Sequence, residues 1–374
     1  MTHWNENLTY RLGRLAHGGV VLVDPRQTWV GPEVVPERIQ AGAVLHPGTR
    51  LGGAALWLGA GAQVGTEGPA TVVDSVLDER ASIASGYVSG AVLLRDASLG
   101  GAAHVRAATL LEEEASTAHA VGLKQTILLS YVTLGSLINF CDCLMAGGSS
   151  RKDHSEVGSG YIHFNFTPWG ERGDKATPSL IGDVPRGVFL REPRIFLGGS
   201  GGMIGPANVG YGSVAAAGQV LRRDLGEGRL VLSPPREIDK ELLPRHKDKV
   251  EPRAGKNIEY VAQLFALREW YRQVRLARAS PGSRPVLEAA LGVLDLCIRE
   301  RIEQLNRFLV ERGAPRAKFE AADLGRCPLG LAGEDEHTSW VKALPAEAVR
   351  DGVGWLASVV ECVRAAGQAS IRGS

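Results

Sequence analysis

The chain has 374 residues, enough for two or three domains around a sizeable core. Its 42 basic and 41 acidic residues leave a net charge of +1, without the basic excess expected of wholesale nucleic-acid binding. No apolar run reaches the roughly 18 residues of a membrane span, and the start MTHWNENLTYRLGRL lacks a secretory pattern, so a cytoplasmic protein with no membrane or nucleic-acid partner is expected.

In chain order, the first 38 residues are too short for a domain and read as a cap. From Ile39 onward, aliphatic residues recur six apart: Ile39, Leu45 and Leu51, then Leu58 and Val64, Leu77 and Ile83, and Leu99 and Val105. The step returns at Val121 and Ile127, Ile138 and Leu144, Met203 and Val209, and Val214 and Val220. Small residues lie between them, Gly is abundant at 47, and aromatics are scarce at 6%. This is the pattern of a solenoid whose coils have three flat faces of about six residues, each sending one aliphatic into a narrow lumen. The predicted fold is an all-β solenoid, a parallel β-helix over residues 39–224, with a C-terminal α-helical domain. A β-sandwich is the alternative, but its turns come every 8–12 residues or so, not every six.

The six-residue step lapses at about 145–193, where GGSSRKDHSEVGSGYIHFNFTPWGERGDKATPS reads as a long inserted loop. Residues 225–255 are rich in charge and Pro and read as a linker. Residues 256–374 then carry three helical stretches, about 257–279, 285–312 and 346–366, with Val261, Leu264, Phe265, Leu267 and Trp270 near helical spacing in the first.

The stretch MIGPANVGYGSVAAAGQVLRRD, with LLSYVTLGSLINF and YIHFNFTPWGERGDKATPSLIGD upstream, resembles the acetyltransferase domain of the bifunctional glucosamine-1-phosphate acetyltransferase/N-acetylglucosamine-1-phosphate uridyltransferase family. The likeness covers Lys124 to Asp224. It implies the left hand of the helix and a homotrimer with active sites between subunits. It also implies a transferase acting on a sugar phosphate or nucleotide sugar such as UDP-N-acetylglucosamine, with acetyl-CoA as donor. Position by position, it places sugar or phosphate contacts at Tyr131, Asn139, Asn165 and Lys175, and the acetyl-CoA groove at Ala216 and Ala217. The family's catalytic histidine lies three residues before the matched Tyr131, and that position here is Leu128. Nothing before Ile39 matches the family's nucleotidyltransferase loop L-A-A-G-x-G-T-R-M. A uridyltransferase-related chain without that domain is therefore one alternative. A non-catalytic sugar-phosphate binding or regulatory protein is another.

With Leu128 unable to act as a base, three histidines are candidates for catalysis. His163 is two residues from Asn165, so in an extended segment both face the same way. His154 lies among Arg151, Lys152 and Asp153, where Arg151 and Lys152 are candidate phosphate contacts. His119 precedes the family's histidine position and stands as its replacement from a neighbouring coil. Lys124 is a further phosphate candidate. Each of these also has a plainer reading, as a solvated or structural side chain. Five cysteines, of which only Cys141 and Cys143 are close together, complete no metal site and fit free thiols.

Overall fold

The computed structural model describes residues 2–166, 174–232, 250–319, 324–333 and 336–372. Helix α1 (Thr2–His17) comes first and packs Leu12 and Leu15 onto the open end of a parallel β-solenoid of about eleven turns. The solenoid has three faces. Its first face stacks Val21, Val44, Gln63, Ser82, Ser98, Ser116, Thr133, Glu156, Phe196, Val214 and Leu230 in register. The second face stacks Arg50, Thr71, Tyr87, His104, Gly122, Asn139, Ile162 and Gly202. The third stacks Trp57, Val76, Val92, Leu110, Ile127, Leu144, Leu180 and Asn208.

The residue after each of these positions generally points into the lumen. Leu45, Val64 and Ile83 line it from the first face, Val105, Leu123 and Phe140 from the second, and Leu77, Leu93, Leu111, Leu128 and Met145 from the third, all nearly or fully buried. No single coil could bury such a column; stacking makes the core continuous. Between faces the chain turns through left-handed backbone at non-glycine residues, among them Asp96, Ala102, Ala108, Glu114 and Ala120, each six from the last, with φ between 56° and 61°. A side chain is strained there by roughly 1–2 kcal/mol, which the stacked ladder on either side must offset.

The boundaries differ from the sequence reading. Coil pairing begins at Val21–Leu22 rather than Ile39, so only α1 is a cap. It ends at Leu230–Val231 rather than Asp224. The expected loop at 145–193 is not one loop. Glu156–Val157, Ile162–Phe164 and Ser179–Ile181 are strands in register with the coils around them. The extra residues fall at the edges between these strands, one segment containing the short helix α2 (Val184–Gly187). Part of the charged linker and the Trp169–Arg172 stretch of that loop lie outside the described residues.

The C-terminal part comprises α3 (Val250–Trp270), a π-helical turn over Tyr271–Arg275, α4 (Arg284–Val310), α5 (His337–Ala343) and α6 (Ala346–Arg372). Helix α4 lies across the third face, whose outward residues Val76, Val92, Leu110, Ile127, Leu144 and Leu180 are at most 5% exposed. The third face is therefore apolar on both sides, inward to the lumen and outward to the helices. Buried ion pairs pin this layer: Arg301 to Asp142 at 3.1 Å, Arg275 to Glu113, and Arg253 to Asp174. No helix among the described residues is long and apolar enough to cross a membrane.

Candidate functional site

The predicted site residues fall on different edges of the solenoid. His163 is in the lumen. It follows Ile162 on the second face, stacks between Phe140 and Met203, and is 4% exposed. Its Nδ1–H donates to the Cys141 carbonyl at 2.6 Å, and Nε2 accepts from Ser179 Oγ at 2.8 Å. Burial pushes its pKa down to about 4, so it is a neutral, satisfied core histidine. The expectation that His163 and Asn165 present a base and an amide together is corrected: a lumen side chain touches no outside ligand.

Asn165 and Lys175 lie at the edge between the second and third faces. The Asn165 amide donates to Asp142 Oδ2 at 3.1 Å, and the Lys175 carbonyl accepts from Arg301 at 3.4 Å. Asp142 is 2% exposed; burial raises its pKa against the pull of Arg301. This cluster ties α4 to the solenoid. Asn165 is thus engaged in structure rather than offered to an acyl group.

Tyr131, Arg151, Lys152 and His154 belong to the edge between the third and first faces. Tyr131 is 2% exposed, and its hydroxyl accepts from Lys342 of α5 at 2.7 Å. Arg151 donates to the Glu114 carbonyl at 2.5 Å and to Thr133 Oγ1. His154 Nδ1 sits 2.9 Å from the Arg151 carbonyl, with Nε2 at 3.5 Å from Glu156. Only Lys152 is left exposed.

His119 and Asn139 are different: they lie on or beside the edge of the solenoid that leads to Ala216 and Ala217. His119 is exposed at the edge between the first and second faces, its Nδ1 2.8 Å from Ser136 Oγ one coil on. The edge continues by coil-to-coil hydrogen bonds in which the backbone N–H groups of Leu137, Gly160, Ser200 and Gly218 donate to the carbonyls of His119, Ser136, Ser159 and Gly199, and so reaches Ala216 and Ala217. Four coils at roughly 4.8 Å each make this about 19 Å. The edge is lined by small residues because the coils touch: a Cβ on Gly158 would lie 2.4 Å from Gly199 N, and one on Gly198 2.4 Å from Ala217 N.

Beside His119 the second face is dented at Gly122, which has no side chain to fill its place in the stack. The depression holds about 410 Å³ and is lined by His104, Arg106, Leu137, Asn139 and Ile162. Asn139 Oδ1 accepts from the Cys141 thiol at 3.6 Å, which leaves its amide protons for a ligand. Arg106 is exposed, and Lys124 pairs with Cys141 in register. His104, stacked on Tyr87 at 5.6 Å, and Arg106 are the site residues that sequence reasoning missed. The signal was present: if Val105 faces the lumen, His104 must face out.

The comparisons with known proteins agree with the solenoid. No family model matches the chain. The bifunctional protein GlmU of Nocardia farcinica is 28% identical over 240 residues, 64% of this chain and 43% of that protein. The GlmU proteins of Fervidobacterium nodosum and Micrococcus luteus are 27% and 29% identical, over 63% and 58% of this chain. The chain spans less than half the length of these relatives, at 46% and 38% of the latter two. A solved UDP-N-acetylglucosamine acyltransferase from Campylobacter jejuni covers 74% of this chain and is itself covered to 94%, at 14% identity and a TM-score of 0.22, too loose a fit to carry weight. The chain is a hexapeptide-repeat β-solenoid resembling the acetyltransferase domain of the GlmU proteins, with a helical layer of its own on one face.

Proposed function

We propose that this protein is a hexapeptide-class transferase that moves an acetyl group from acetyl-CoA to the amine or hydroxyl of a sugar phosphate or nucleotide sugar. The observation carrying this reading is that His119, oriented by Ser136, stands at one end of the small-residue edge that leads to Ala216 and Ala217. In the working tautomer His119 Nδ1–H donates to Ser136 Oγ, which leaves Nε2 as the base. The acceptor nitrogen attacks the thioester carbonyl, a C–N bond forms, and the C–S bond breaks. The acceptor's proton passes to Nε2 and then to the departing thiolate. His104 and Arg106 line the same depression, where Asn139 donates its amide to the sugar and Arg106 meets its phosphate; Lys124, in register with Cys141, is a further phosphate contact from the next strand position.

A homotrimer closed through the second face fits this arrangement. The third face is taken by the chain's own helices, whereas Tyr87, Leu137 and Phe164, exposed by 40%, 59% and 44%, lie on the second face or its rim. The five free thiols accord with a cytoplasmic setting.

The experiment is thiol release from acetyl-CoA with glucosamine 1-phosphate and UDP-linked amino sugars as acceptors. His119→Ala is expected to lower kcat by about 10²–10⁴-fold. Undiminished turnover in a His119→Ala, His104→Ala double variant would overturn the assignment. One observation favours a second reading, a binding protein without turnover: Leu128, at the family's histidine position, is fully buried in the lumen stack. That reading predicts a raised Tm with UDP-N-acetylglucosamine and no thiol release.

A further inference from the structure

The edge between the first and second faces is irregular where it approaches His119. From Leu99 to Ala103 the chain takes four residues to pass between the two faces. The coil before it takes three, from Ile83 to Gly86, and the coil before that takes six, from Val64 to Ala70. The extra residues of the long coil fold over the short one, with Glu67 N donating to the Ala84 carbonyl at 2.9 Å. Glu67 is thereby carried two coils along the edge. Its Oε2 lies 2.6 Å from where a Cβ on Gly101 would stand, in space that a glycine leaves free.

Gly101 lies directly before His119 in the stack, its carbonyl accepting from Ala120 N at 2.7 Å. The Glu67 carboxylate therefore stands about one coil, roughly 4.8 Å, from the His119 position. Glu67 is exposed, and its carboxylate has no hydrogen-bond or ion-pair partner among the described residues. Ser85 Oγ, 3.4 Å from the same point at Gly101, already accepts from Ala102 N at 2.8 Å. Charge thus has a direction along the acceptor site. A carboxylate marks the His119 end, and Arg106 lines the Gly122 depression on the second face. A phosphate is repelled by the first and attracted by the second. A hydroxyl brings Glu67 one donor and no charge, whereas an ammonium brings three donors and a positive charge.

We propose that Glu67 docks the acceptor's ammonium group beside His119, so that the protein selects an amino sugar over its hydroxyl counterpart. This rests on the reading of His119 as the base. The bound ammonium gives one proton to water. The amine so formed attacks the thioester carbonyl, and its second proton passes through His119 Nε2 to the departing thiolate.

The test is calorimetric titration of the full chain at pH 7 with two matched pairs: glucosamine 1-phosphate against glucose 1-phosphate, and UDP-glucosamine against UDP-glucose. In at least one pair the amine is expected to bind about fivefold tighter or more. Glu67→Gln is expected to remove that preference by weakening the amine alone. Gly101→Ala is expected to do the same, because its methyl takes the carboxylate's place and the backbone there needs no left-handed φ. No binding by either pair, equal affinities within both, or a Glu67→Gln variant that keeps the preference or weakens both members alike would overturn the proposal. Binding is read without turnover, so the two readings fail separately. A Glu67-dependent preference without thiol release would sink acetyl transfer alone, and thiol release without the preference would sink the role of Glu67 alone.

Discussion

His163 shows how the environment, not the residue type, decides a side chain's role. Its neutral form is held by one donated and one accepted hydrogen bond inside the lumen, and burial moves its pKa from 6.5 to about 4. Above pH 6.5 the folded and unfolded chains carry the same charge at this residue. Between pH 6.5 and 4 the unfolded chain binds a proton that the folded chain refuses, so stability falls as pH falls. His163→Gln removes that titration. The dependence of unfolding free energy on pH in this window is expected to flatten by up to about 1.4 kcal/mol per pH unit. Denaturant titrations at pH 4.5, 5.5 and 7 measure it, and parallel wild-type and variant profiles would contradict the lumen role. The position was legible in the sequence: His163 is six after Val157, which faces the lumen, and pairs with Met203. The polar residues around it hid the step and made a coil look like a loop. Leu128 was legible as a missing base, but its place in the third-face stack was not, because a single apolar residue does not reveal which face it serves.

At the scale of elements, regular spacing was legible and interruptions were not. The hexapeptide step marks the lumen because each face accepts one aliphatic, and it survives wherever the edges are short. Extra residues between Thr133 and Glu156, and again between Glu156 and Phe196, shift the count without breaking the register, so the strands there carry no visible period. The helices were readable from their 3.6-residue pattern, but the π-helical turn was not, since only contact with the solenoid selects it. That turn offers an element-scale prediction. Burial pushes both Glu112 and Glu113 upward, but the Arg275 charge and hydrogen bonds hold Glu113 below its usual value while Glu112 stays raised. Arg275→Met would leave Glu113 buried and ionised without its partner. A loss of about 3–5 kcal/mol is expected, with much of it recovered in the Arg275→Met, Glu113→Gln double variant, where neither member of the pair is left charged without its partner. Equal losses in the single and double variants would show that the pair matters only through packing.

For the molecule as a whole, the choice of which face to cover connects fold and function. A β-solenoid with three equivalent faces must hide or polarise each one. The first face presents Gln63, Ser82, Ser98, Ser116 and Thr133 to water, as a half-exposed sheet does. The second carries the Gly122 depression and the exposed aromatics. The third is aliphatic outward as well as inward and is covered by α3 and α4 from the same chain. A chain ending at residue 232 would therefore keep every coil but expose Val76, Val92, Leu110, Ile127, Leu144 and Leu180 as one apolar strip. Each such side chain gains roughly 1.5–3 kcal/mol from burial, so the strip is a strong adhesive surface. It would also leave Asp142 and Glu113 without Arg301 and Arg275. The 1–232 chain is expected to self-associate through the third face, visible as concentration-dependent growth in sedimentation velocity, while the full chain keeps one defined assembly. Replacing Val92 and Leu110 by Thr in the truncated chain should reduce that growth, because both lie in the strip and neither faces the lumen. A truncated chain that stays monodisperse at high concentration would contradict the covering role given to the helices.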